Sequence, residues 1–169
     1  MRAVAVLALA GTAFAQAGDV KGEEQPALRE EWRVPVPRAL SAEEELATFR
    51  VDDGLRVELV ASEPLVHAPV CASFDERGRL WVCEMPSYMP DVDGHGEREP
   101  TGRVVVLTDR DGDGRMDERA VFLDGLVLPR KVLPLDDRLL VMETYDGILW
   151  SYRDADRDGV ADGRENVFE

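Results

Sequence analysis

Two stretches of the chain carry carboxylates at the spacing a hard cation needs. In "DADRDGVADGRE", Asp154, Asp156, Asp158, Val160, Asp162 and Glu165 fall at positions 1, 3, 5, 7, 9 and 12 of a calcium loop, with Gly159 at position 6. Calcium takes roughly six to eight oxygen ligands, and alternate residues of a tight turn point inward to supply them. Glycine at position 6 permits the bend, and position 7 contributes only its backbone carbonyl, so a valine is acceptable there. The second stretch, "DRDGDGRMDERA", sets Asp109, Asp111, Asp113 and Asp117 at positions 1, 3, 5 and 9, with Gly114 at position 6. Its position 12 is Ala120, and Glu118 is out of register, so weaker binding is expected there. Both stretches are flanked by strand-like rather than helical sequence, so neither is an EF-hand. The bland alternative is a pair of solvated hairpin turns that use Asp and Gly for turn chemistry. A bound cation would pin a hairpin tip and neutralise carboxylate repulsion, which is a structural role.

The elements that must hold these loops are short strands. From Pro69 onward the chain reads as two sets of four, separated by turn signals. The first set is "VCASFD", "RLWVCEM", "RVVVLTD" and "RAVFLDG"; the second is "KVLPL", "RLLVMET", "ILWSY" and "ENVFE". "GRLWVCEM" matches "DRLLVMET" at an offset of 59 residues, and "GRVVVLTDRDGDG" matches "GILWSYRDADRDG" at an offset of 45. The first unit therefore carries about 14 extra residues, the segment "PSYMPDVDGHGEREP" over 86–100. Repeated four-stranded antiparallel units of this size predict a mainly β chain holding about two blades of a partial β-propeller. Blade 1 spans 68–127 with its insertion, and blade 2 spans 128–169. A ring needs about four blades or more, so either more chain or further copies must complete it.

Ahead of the blades, residues 1–17 have the apolar core and small-residue site of a signal peptide. Export to the periplasm or cell envelope is expected, with an uncleaved membrane anchor as the alternative. Residues 18–40 read as a proline-punctuated linker, and 41–67 as a short helix opened by a Ser41/Glu44 capping box followed by an entry strand, "LRVELVA". Export would let Cys71 and Cys83 bond across a hairpin; two buried thiols are the equal alternative. Neither has the C-x-x-C-H spacing of an attached haem. The net charge of −15 argues against nucleic acid as a partner.

Antiparallel connectivity puts the loops after strands two and four of each unit at one end, and the acidic loops at the other. The first end gathers His67, His95, Glu84 and Glu143 as candidate catalytic groups. Arg130 and Lys131 join them as candidates for an anionic substrate or cofactor. Each has a plain reading too: His95 as an exposed loop residue, His67 as a turn cap, Arg130 and Lys131 as surface charges, the two glutamates as solvated strand ends. No nucleophile elbow, phosphate loop, zinc cluster or dinucleotide fingerprint is present.

The run "ELVASEPLV", then "FDERGRLWVCEM", then the "DRDGDGRMD" turn before "VFLDGL", resembles the membrane-bound dehydrogenase family of planctomycete-type bacteria. That family is related to the soluble glucose/sorbosone dehydrogenase propellers. The likeness covers Ser41 to Glu169. It implies an exported six-bladed propeller that oxidises a sugar-like alcohol and passes electrons to an acceptor, with a quinone such as PQQ as cofactor. It also implies downstream helical repeats and a haem c domain, neither of which lies in this segment. The other class of function compatible with the residues is a calcium-stabilised propeller that binds carbohydrate or protein without redox chemistry.

Overall fold

The computed structural model describes residues 29–35, 37–91 and 93–168. The signal peptide expected over 1–17 and much of the linker over 18–40 lie outside them. The chain divides into two units, 1–37 and 38–169. The described part of the first contains one 3-10 turn, Glu30–Trp32, with no buried residue. No described helix is long and apolar enough to cross a membrane.

The second unit opens with helix α1, Ala42–Leu46, at five residues shorter than the two or three turns expected. Its start is set by the capping box: the Glu44 amide donates to Ser41 Oγ at 3.2 Å, and the Ser41 amide donates to the Glu44 carboxylate at 2.9 Å. Arg38 forks onto the same carboxylate at 2.7 and 2.9 Å.

Eight strands follow: β1 (Pro69–Phe74), β2 (Leu80–Glu84), β3 (Gly102–Thr108), β4 (Glu118–Leu126), β5 (Pro129–Pro134), β6 (Leu139–Glu143), β7 (Leu149–Arg153) and β8 (Gly163–Asn166). They form two four-stranded antiparallel sheets in the orders β1-β2-β3-β4 and β5-β6-β7-β8. The entry strand expected over 55–61 is not one. That segment pairs with no strand; its Val60 carbonyl accepts from Met116 N–H, in the first acidic loop, at 2.8 Å. Ala61, with Leu65 and Val66 beyond it, lies over one face of the first sheet, against Val82, Val105 and Leu107, whereas Leu55 and Val57 of the alternating run are exposed.

The other face of the first sheet packs on the second sheet. Trp81, Cys83, Val104, Val106 and Phe122 meet Val132, Leu139, Val141 and Tyr152 in one buried core. The strand registers repeat between sheets. Val82 stands opposite Val105 as Val141 stands opposite Trp150, and Cys83 opposite Val104 as Met142 opposite Leu149. Both pairs keep the 59- and 45-residue offsets. Residues that face the second sheet from the first (Trp81, Cys83, Val104) thus have counterparts in Leu140, Met142 and Leu149, which face away from the core and stay half-buried. Leu133, beside Leu140 on that outer face, is 51% exposed.

One turn is fixed by a single carboxylate. Asp75, between β1 and β2, accepts from the Arg77 and Arg79 amides, the Arg79 guanidinium and the Trp81 indole, all within 3.0 Å. Burial pushes this carboxyl up, but the donors from Trp81 and Arg79, with the Arg77 amide, outweigh that and leave it below the usual range.

Candidate functional site

The two acidic loops fold alike because the aspartates at positions 1 and 9 satisfy amides within each loop, sharing those of positions 6 and 2 and differing in one. In the first, Asp109 accepts from Gly112 N–H at 2.7 Å and Gly114 N–H at 2.9 Å. In the second, Asp154 accepts from Asp158 N–H at 3.1 Å and Gly159 N–H at 3.0 Å. The residue at position 9 closes each loop: Asp117 accepts from Arg110 N–H at 2.8 Å, and Asp162 from Ala155 N–H at 2.5 Å. Its own amide returns to the strand, Asp117 to Thr108 and Asp162 to Arg153, both at 2.9 Å. Positions 4 and 6 are left-handed in both loops, with φ of 79° and 92° at Gly112 and Gly114, and 64° and 91° at Arg157 and Gly159.

This geometry brings the carboxylates of Asp109, Asp111 and Asp117 within 4.8 Å of one another, and does the same for Asp154, Asp156 and Asp162. The other expected ligands stand apart from these groups. Asp113 and Asp158 turn back onto the amides of Arg115 and Val160, at 2.7 and 2.8 Å. Glu165 lies on β8 opposite Ser151, and Glu118 is bonded to Arg110. The difference at position 12, from which weaker binding in the first loop was expected, therefore does not distinguish the two gathered triads. The donor set is all hard oxygen and carries three negative charges crowded together, which suits Ca²⁺ and not a soft metal. Hydrogen bonds to the charged form, that from Gly114 first, hold Asp109 below the usual carboxylate range despite some loss of solvation.

At the opposite end of the sheets, no hydrogen bond joins the side chain of one candidate catalytic residue to that of another; His67 meets Glu84 through its backbone amide alone. His67 is exposed and its Nδ1 lies 3.2 Å from Glu63. His95 is exposed in the insertion and its Nδ1 lies 2.7 Å from Asp91, whose carboxylate also accepts from the Asp93 and His95 amides. Donation of its ring N–H to the Asp91 carboxylate raises His95 above the ordinary 6.5, and the bonds from His95, its amide first, lower Asp91. Arg130 and Lys131 are exposed neighbours on β5. Neither lines the open cleft of about 480 Å³ between β4 and the second sheet, where Glu143, Tyr145, Tyr152 and Arg164 meet. Among the described residues, these two build no cradle for a quinone.

Glu84 and Glu143 are not solvated strand ends: they are 1% and 7% exposed. Each is the centre of a repeated clasp. Glu84 accepts from His67 N–H at 2.9 Å and from Arg119 at 2.8 Å. Glu143 accepts from Val127 N–H at 2.5 Å and faces Arg164 at 3.5 Å. The next residue along β2 or β6 completes it, with Met85 N–H on the Ala68 carbonyl and Thr144 N–H on the Leu128 carbonyl, both at 3.0 Å. Ala68 and Leu128 both adopt positive φ, 43° and 51°. Both carboxylates are thus committed to tying the chain that enters a sheet onto that sheet. The clue in the sequence was arginine at the 45-residue offset, Arg119 and Arg164, in step with glutamate at the 59-residue offset.

A family model described as a domain of unknown function (DUF7133) matches residues 41–169. No curated protein and no solved structure matches the chain.

Proposed function

The chain belongs to the DUF7133 family, and on that premise we propose that it supplies two blades of an exported β-propeller whose hairpin tips are held by calcium. The propeller belongs, on this reading, to an oxidoreductase acting on a sugar-like alcohol, in the manner of the glucose/sorbosone dehydrogenases. The observation that carries the propeller part is the stacking of the sheets. One face of the first sheet packs on the opposite face of the second, using residues whose counterparts recur at the same register. Packing of that kind can be repeated indefinitely about an axis, unlike the closed pairing of a two-sheet sandwich.

Calcium is supported by the two carboxylate triads and by the shared left-handed positions beneath them. When bound, the ion would supply charge neutralisation at each tip, held by Asp109, Asp111 and Asp117 in one loop and by Asp154, Asp156 and Asp162 in the other. The dehydrogenase part rests on the sequence resemblance. The alternative, a calcium-stabilised binding module without redox activity, is favoured by one feature: the buried glutamates are spent on structural contacts rather than left free for proton transfer.

Two measurements separate these readings. Saturating calcium should raise the melting temperature, since a ligand at about 100 times its Kd stabilises the folded state by about 2.7 kcal/mol. The combined Asp109→Asn and Asp154→Asn variant should lose that response, and an unchanged melt in excess chelator would defeat the calcium reading. Dye-coupled oxidation of a panel of sugars and alcohols, with calcium and a quinone added, tests the chemistry. Calcium-dependent dye reduction selects the oxidoreductase; saturable binding of a carbohydrate or protein, with calcium-dependent stability and no dye reduction, selects the binding module.

A further inference from the structure

Cys71 and Cys83 are Cα partners directly across β1 and β2. Both thiols are free, Cys83 is fully buried, and Cys71 is partly exposed and packs against the same inter-sheet core. Opposed residues on antiparallel strands stand about 4.5–5.5 Å apart at Cα, inside the disulfide range of about 4.4–6.8 Å. Both side chains leave the sheet on one face, toward Trp81 and Val104.

We propose that this pair is an oxidisable dithiol that closes to a cross-strand disulfide and fastens the edge strand β1 to the sheet. The strand needs such a fastening. It pairs on one side only, its ladder is interrupted between Pro69 and Cys71, and its burial is the poorest in the first sheet. With a low-molecular-weight disulfide as oxidant, the thiolate of Cys71, the accessible sulfur, attacks one sulfur of the reagent. This releases one reagent thiol and leaves a mixed disulfide. The Cys83 sulfur then attacks that of Cys71 and releases the second thiol. Two protein thiols are oxidised, one reagent disulfide is reduced to two thiols, and the two protons leave with them. Burial, with Cys71 beside it, pushes Cys83 up to about 12, which makes the second attack the slow one.

The inference rests on strand register and is independent of the dehydrogenase reading. Incubation of the folded chain with oxidised glutathione, followed by acid quench, denaturing alkylation and intact mass, tests it. The expected product has lost two hydrogens, carries no glutathione and takes up no alkylating agent. The Cys83→Ser variant should stop as a glutathione adduct on Cys71. Two alkylatable thiols, a stable adduct on the unaltered chain, or a covalent dimer would each overturn the proposal.

Discussion

At the scale of single residues, the two acidic loops differ in one instructive place. Position 4 is Gly112 in the first and Arg157 in the second, yet both are left-handed, at φ of 79° and 64°. A side chain in that region costs about 1–2 kcal/mol, partly offset by the entropy glycine loses on folding, about 0.5–1 kcal/mol. Arg157→Gly should therefore stabilise the chain by up to about 1 kcal/mol, and Gly112→Arg should destabilise it by a similar amount. Opposite signs in denaturant melts of the two variants check this; equal signs refute it. The loops themselves were legible in the sequence, because Asp and Gly at fixed offsets have few other uses. Which carboxylates gather was not legible. Glu165 satisfies position 12 on paper, but β8 begins at Gly163 and carries it onto the sheet.

At the scale of elements, the strands were readable from alternation and turn residues, and the 59- and 45-residue offsets anticipated the register that the ladders adopt. The error over 55–61 shows what alternation omits. An alternating run need not find a strand partner: Leu55 and Val57 stay exposed, and only the backbone partners distinguish such a segment from a strand. The glutamate clasp was missed for a related reason: a charged residue ending a strand reads as solvated until the arginine that reaches it from the fourth strand is placed. The clasp makes a graded prediction. Glu84 is nearly sealed and holds Arg119 at 2.8 Å, whereas Glu143 faces the half-exposed Arg164 at 3.5 Å. Glu84→Ala should cost about 3–5 kcal/mol, the range for breaking a buried pair. Glu143→Ala should cost about 1–3 kcal/mol, the range for a buried donor left unsatisfied. Equal losses in chemical denaturation would mean that burial of the pair does not set the cost.

At the scale of the whole second unit, the two sheets have unequal outer faces. That of the first is covered by Ala61, Leu65 and Val66. That of the second presents Leu133 beside Leu140, Met142 and Leu149, the last three being counterparts of residues that are buried where sheet meets sheet. A charge of −15 keeps copies apart at low salt, and screening should let this apolar face associate. Sedimentation should show self-association growing with salt, and a Leu133→Glu, Leu140→Glu double variant should abolish it while retaining the melt of the parent. Association that persists unchanged in the double variant would place the sticky surface elsewhere.

The cover over the first sheet also gives the stack a direction. While Ala61, Leu65 and Val66 lie there, that face is closed to a further sheet and only the outer face of the second is open to one; a ring that closed on the first sheet would have to move this cover aside.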